Sequence, residues 1–197
     1  MISTTFFDTP LGPMLALAEN DALTGLYFVG QHYYPGAAND WREEAQARPF
    51  SALRQQLDQY FAGTRRTFEL PLNPGGRRGT LFQRAIWRAI AAVQFGDTTT
   101  YSALAAHGGR PSAARAAGAA TGRNPLSLVV PCHRIVGSSG ALTGYAGGLE
   151  RKRALLAFER AIAAGEACTI SRFIGLAVPG AAISASHGAQ AELRWSR

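Results

Sequence analysis

TTYSALAAHGGRPSAARAAGAATGRNPLSLVVPCHR, residues 99–134, sets two short alanine-rich segments on either side of GGRPS and ends on a cysteine held between a proline and a histidine. Gly108 and Gly109 permit a sharp turn, Pro111 can open a new element and Ser112 is a good N-cap. Helices are therefore predicted over about 100–107 and 113–121, and two short helices across a tight glycine turn resemble a helix-turn-helix. The β-branched run LSLVV, residues 126–130, reads as a buried strand that delivers Cys132 to a turn.

Working outward, GSSGALTGYAGG (137–148) is a small-residue loop, and a helix follows from about 149 to 164. Upstream, Thr80 can cap a helix whose stripe is Phe82, Ile86, Ala89, Ile90 and Val93, closed by Gly96. The stretch TRRTFELPLNPGGRRG (64–79), with two prolines, three glycines and four arginines, reads as a linker. Before it, Phe50, Leu53, Leu57 and Phe61 recur at helical spacing, and residues 31–48 look like an irregular connection. MLALA and LTGLYF, joined by Glu19-Asn20-Asp21, form a hairpin within a strand-rich start. From Gly165 the chain is rich in Ala, Gly and Ser with little periodicity, a composition that predicts no packed structure.

At 197 residues the chain can bury a core without disulfides or metal staples, and no run reaches the roughly 18 apolar residues of a membrane span. The N-terminus MISTTFFDTP lacks the basic start and apolar stretch of an export signal, so a cytoplasmic protein is expected. Two cysteines in such a chain are free thiols rather than a disulfide. The formal charge of +7, carried almost wholly by arginine, suits a polyanionic partner.

Cys132 has three roles open to it: a small core residue, a zinc ligand or a nucleophile. Cys168 and the scattered His32, His107, His133 and His187 offer no recognised ligand spacing, and neither a metal nor another cofactor is expected. A nucleophile needs help, because a free thiol is only a few per cent ionised at neutral pH. His133 is adjacent, yet neighbouring side chains diverge, so contact would need a bridging water or an unusual turn. In the last helix Glu159 falls within the stripe Leu155, Leu156, Ile162, Ala163. There it is either paired, with a histidine as a suitable partner, or merely lines a shallow edge. Arg115 stands in the first turn of an otherwise slim helix, where the helix dipole disfavours a cation. It is either one solubilising arginine or a long side chain presented to a groove.

The ordered motifs NP-x(5)-PCHR, GY-x-GG and a following helix with a glutamate resemble the O6-alkylguanine-DNA alkyltransferases, also called methylated-DNA-protein-cysteine methyltransferases. The likeness runs through QLDQYFAGTRRTFELPL, GTLFQRAIWRAI, TTTYSALA and the Arg115 helix, covering roughly residues 53–160. It implies an α+β chain: a small N-terminal module with an antiparallel sheet, ribonuclease-H-like, over 1–75; a mostly helical catalytic and DNA-binding domain with the helix-turn-helix over 76–165; and a tail, 166–197. It implies a monomer that takes an alkyl group from O6-alkylguanine in double-stranded DNA onto Cys132, once per molecule. By position, His133 would reach Cys132 through a water, Glu159 would hold His133, Asn124 would fix the turn, and Tyr101 would support the leaving guanine. Arg115, with Ala114, Ser112 and Tyr101, would contact DNA, Arg115 filling the space of the extruded nucleotide, and the arginines of 65–88 would meet phosphates. Tyr145, Ala146, Gly147, Ile135 and Lys152 would line the base pocket. Rival readings are a non-catalytic alkyl-lesion-binding protein and a cysteine hydrolase.

Overall fold

The computed structural model describes residues 1–36, 38, 40–75 and 79–175. Strands β1 (Ile2–Phe7), β2 (Met14–Glu19), β3 (Ala22–Phe28) and β4 (Trp41–Glu43) form a sheet of order β3-β2-β1-β4. β1 pairs antiparallel with β2, β2 antiparallel with β3, and β4 parallel with β1. Asn20 and Asp21 close the β2–β3 hairpin at φ 51° and 60°, the handedness a two-residue turn needs to follow the strand twist. β4 corrects the reading of 31–48 as wholly irregular: three residues on one edge carry too little alternation to be legible.

Helix α1 (Phe50–Phe61) lays Phe50, Leu53, Leu57, Tyr60 and Phe61 on this sheet, where they join Phe7, Met14, Leu26 and Phe28. The stretch read as a linker is held in its middle along β3. Leu23 N donates to Pro71 O at 2.8 Å, and Asn73 N donates to Leu23 O at 2.9 Å.

Thr80 caps α2 (Leu81–Ala91) in a reciprocal capping box with Gln83, and the helix ends a turn before Gly96 rather than at it. Helices α3 (Tyr101–His107) and α4 (Ala114–Gly122) meet across the glycine turn, and Trp87 Nε1 donates to Ala120 O at 2.9 Å, fastening α4 to α2. Ser112 is not the cap of α4. The turn closes through Ala113 N onto Arg110 O, which puts Ala113 at the cap position with no side-chain bond and leaves Ser112 exposed outside the helix.

LSLVV is buried throughout, as its composition predicts, but it is not a strand. Leu128 stands at φ 70°, Val130 N donates to Leu126 O, and Cys132 N donates to Val130 O, so the segment coils through successive turns. The cause is Asn124, whose side chain donates to Val130 O at 2.7 Å and accepts from Leu126 N at 3.0 Å, occupying groups a strand ladder would need. Pairing resumes afterwards, where β6 (Ile135–Val136) runs parallel to β5 (Thr99–Thr100).

Helix α5 (Leu149–Ala163) closes the molecule against α1 and the Cys132 turn, and one hydrophobic core runs through both halves of the chain. Beyond it, Glu166–Gly175 contradicts the expectation of an unpacked tail. Ile170–Phe173 form a 3-10 turn, Ile170 is fully buried, and Phe173 lies edge-on to Phe158 at 6.2 Å. Isoleucine and phenylalanine spaced three apart among polar neighbours make too short a signal to separate from low complexity. The rest of the expected tail, 176–197, lies outside the described residues. Among the described residues no helix is long and apolar enough to cross a membrane. Truncating Ile170 to alanine should lower the unfolding free energy by about 2–4 kcal/mol, the range for emptying a buried isoleucine site, measured by urea denaturation.

Candidate active site

Cys132 opens a 3-10 turn, Cys132–Arg134, and is 3% exposed. Its sulfur accepts from Asn124 Nδ2 at 3.0 Å, the same amide that holds the carbonyl of Val130. Burial pushes the thiol pKa up, while the Asn124 hydrogen bond and the nearby Lys152 charge pull it down. The resting group is therefore a thiol at neutral pH.

Glu159 is fully buried and lies at the centre of the site. Arg134 grips it with two bonds, Nε to Oε2 and Nη2 to Oε1, both at 2.9 Å. His133 Nε2 lies 3.0 Å from Oε1, Tyr60 Oη donates to Oε1 at 2.7 Å, and Gly96 N donates to Oε2 at 3.3 Å. Gly96 has to be glycine here: at φ 84° its backbone comes so near α5 that a Cβ would stand 2.7 Å from the Ala163 methyl. Burial alone would raise the Glu159 pKa, but Arg134 and His133 hold it well below the usual carboxylate range. An ionised carboxylate can only accept, so His133 must carry its proton on Nε2 and present Nδ1 as a lone pair. Burial lowers the His133 pKa against the pull of Glu159, which keeps the ring neutral. His133 Nδ1 and Tyr145 Oη are both buried with no protein hydrogen-bond partner, and the two rings meet edge-on at 6.4 Å.

Lys152 is buried too, and its ammonium donates to Ile135 O at 2.5 Å and Thr143 O at 2.7 Å, tying β6 to the loop over the site. Burial brings its pKa down to about 8. Tyr101, at the start of α3, donates to the carbonyls of Thr143 and Gly144 at 3.2 Å, and burial raises its pKa so that it stays a donor. Arg151 holds Gly147 O at 2.8 Å and Leu11 O at 2.7 Å, fixing the end of that loop. An open cleft of about 700 Å³ runs between the loop and α4, walled by Tyr101, Tyr145 and Ala146 on one side and Ala114, Arg115 and Gly118 on the other. Arg115 is exposed in the first turn of α4.

Cys132, His133, Glu159, Asn124, Ile135 and Lys152 thus come together in one buried cluster, with Tyr101, Tyr145, Ala146 and Gly147 above it and Ala114 and Arg115 across the cleft. Ser112 lies apart in the loop before α4. Arg65 binds Gln59, Arg66 donates to Ile162 O, and Arg84 donates to Gly79 O, while Arg77 and Arg78 lie outside the described residues. Two members of the cluster have no counterpart in the sequence reading: Arg134, visible only as the last letter of PCHR, and Tyr60, which sits in the α1 stripe like any core aromatic.

The chain matches the family models described as the ribonuclease-like domain of 6-O-methylguanine DNA methyltransferase, over residues 2–74, and its DNA-binding domain, over 81–161. A methylated-DNA–protein-cysteine methyltransferase of Mycolicibacterium paratuberculosis is 44% identical over 160 residues, 81% of this chain and 93% of the relative. A constitutive one from Bacillus subtilis is 40% identical, covering 79% and 94%. A crystal structure of Mycobacterium tuberculosis OGT in complex with DNA superposes with a TM-score of 0.73 at 40% identity, over 82% of this chain and 93% of that one.

Replacing Glu159 with glutamine should cost about 3–5 kcal/mol at pH 7, because Arg134 stays buried without its counter-charge. The folded carboxyl ionises below the unfolded one. The stabilisation is thus full above roughly pH 4.5 and is lost on further acidification, so the wild type should lose stability more steeply than Glu159→Gln between pH 5 and 3. Urea unfolding across that range measures both effects.

Proposed function

The chain belongs to the 6-O-methylguanine DNA methyltransferase family, and from that premise we propose that it repairs alkylated DNA by accepting the alkyl group of O6-alkylguanine on Cys132. The observation that carries the assignment of roles is the fixed tautomer of His133: with Glu159 ionised and taking the Nε2 proton, Nδ1 is left as the base of the site. A water shared by Nδ1, the Cys132 sulfur and the Tyr145 hydroxyl would meet the two to four polar partners a buried water needs. Through it His133 takes the thiol proton, Glu159 stabilises the resulting imidazolium, and the thiolate, favoured by the Lys152 charge, attacks the alkyl carbon.

Direct displacement at a saturated carbon suits a soft sulfur nucleophile and requires the guanine to leave with its charge relieved. Tyr101 supplies the proton at the N3 edge of the ring, a general-acid contribution of about 10²-fold or more, giving up its bonds to Thr143 and Gly144 to do so. The S–C bond forms as the O6–C bond breaks, the guanine leaves carrying the Tyr101 proton, and the proton held by His133 is released to solvent as the phenol is reprotonated, so the net transfer is from thiol to guanine. A thioether is not hydrolysed under these conditions, so one molecule repairs one lesion.

Cys132 is buried, and a base stacked in a duplex cannot reach it. The nucleotide must turn out of the helix, at a cost of a few kcal/mol. α4 enters the groove as the recognition helix of the α3–α4 pair, and Arg115 fills the space the nucleotide leaves. The protein acts in this reading as a cytoplasmic monomer on duplex DNA.

Incubation with excess O6-methylguanine duplex should add a single methyl to the Cys132 peptide, seen by mass spectrometry, and no more on longer incubation. Restored guanine with an unmodified peptide would overturn the proposal. Arg115→Ala should slow repair of the duplex far more than reaction with free O6-benzylguanine, since only the duplex requires extrusion; equal losses would remove Arg115 from that role.

A further inference from the structure

The N-terminal module reaches the mouth of the cleft through one turn. Gln31 is buried, and its side-chain oxygen accepts from Phe28 N at 2.9 Å and from Ser127 Oγ at 3.1 Å, joining the turn to the segment that carries Cys132. His32 N donates to Ala146 O at 2.9 Å, joining it also to the loop over the base pocket. Immediately after these ties Tyr33 is held at φ 61°, a conformation a bulky residue rarely adopts. Such strain persists only where the surroundings over-determine it, and it clusters at binding sites.

Tyr33, 49% exposed, lines the cleft. The His32 ring stacks on it at 4.0 Å, 9° from parallel, and the Arg123 guanidinium stands 4.8 Å from its centroid. Arg123 is exposed just past the end of α4, and among the described residues it forms no ion pair with a carboxylate. Arg123 and His32 thus cover the two faces of the Tyr33 ring, and the exposed His32 imidazole, which lines the cleft, offers the outer face of this stack to a base while Arg123 offers its charge to a phosphate. From Arg115 to Arg123 the chain advances eight residues, roughly 12 Å of helix. That span equals three to four steps of one DNA strand at about 3.4 Å each.

We propose that Tyr33, His32 and Arg123 form a second DNA contact, made jointly by the two halves of the chain: Arg123 binds a phosphate of the lesion-bearing strand, and the His32–Tyr33 stack packs on a nucleotide three to four steps from the extruded one. The inference rests on the repair reading above. It gives the N-terminal module a direct part in holding the strand from which the base is drawn.

The test uses the full chain with Tyr33→Asn, which removes the ring but tolerates positive φ, and Arg123→Ala, a surface change. Duplex affinity is measured over a series of KCl concentrations, and rates are measured on O6-methylguanine duplex and on free O6-benzylguanine. Each variant should lower the ratio of duplex to free-base rate by roughly tenfold, the loss of about one stacking or phosphate contact. Arg123→Ala should also reduce the slope of log affinity on log salt by about one. A ratio within twofold of wild type for both variants would overturn the contact. Equal losses on both substrates would overturn it too, since they would show that the turn only supports the Ala146 loop. If the wild type itself leaves Cys132 unmodified by the duplex, the repair reading fails; if it is modified and the variants match it, only this inference does.

Discussion

The structure turns on one buried negative charge. Glu159 takes five bonds from four groups: the phenol of α1, the guanidinium and imidazole of the Cys132 turn, and the backbone of the loop after α2, all against α5. A carboxylate without water is tolerated only when its oxygens are fully used, and each donor here serves a second purpose. Arg134 also donates to Val93 O at 2.6 Å, which pins the loop carrying Gly96. His133 is fixed in ring orientation and tautomer at once. The hub settles how the two halves of the chain sit against each other and which nitrogen of His133 carries the proton.

Asn124 is the second constraint, and it explains why the segment before Cys132 is not regular. One amide satisfies Val130 O, Leu126 N and the cysteine sulfur, so the backbone bends around a side chain. The turn that results sets Cys132 and His133 in a 3-10 arrangement rather than on opposite faces of a strand.

What was legible in the sequence follows from how local the signal is. α1, α2, α4 and α5 announce themselves by stripes and punctuation, and the β2–β3 hairpin by its Asn-Asp turn. Glu159 stood out because a charge on an apolar stripe demands a partner. LSLVV misled because burial and β-branching look the same in a strand and in a turn wrapped around an asparagine. Arg134 and Tyr60 stayed hidden because their importance is a long-range meeting: arginine after histidine is unremarkable, and tyrosine on a helix stripe is ordinary core. Lys152 is buried on carbonyls that only the folded loop brings within reach, so nothing in its local sequence announces those partners.

The bond from Tyr60 to Glu159 spans 99 residues of chain. Contacts that distant carry a large closure entropy and tend to form late in folding, after local helices and hairpins are in place. Until then the carboxylate lacks its α1 donor and the imidazole its fixed partner, and Cys132 is an ordinary thiol on a partly ordered chain. On the proposed function, the reactivity of the cysteine would report completed folding: a molecule not yet fully folded would carry the sulfur without the groups proposed to ionise it.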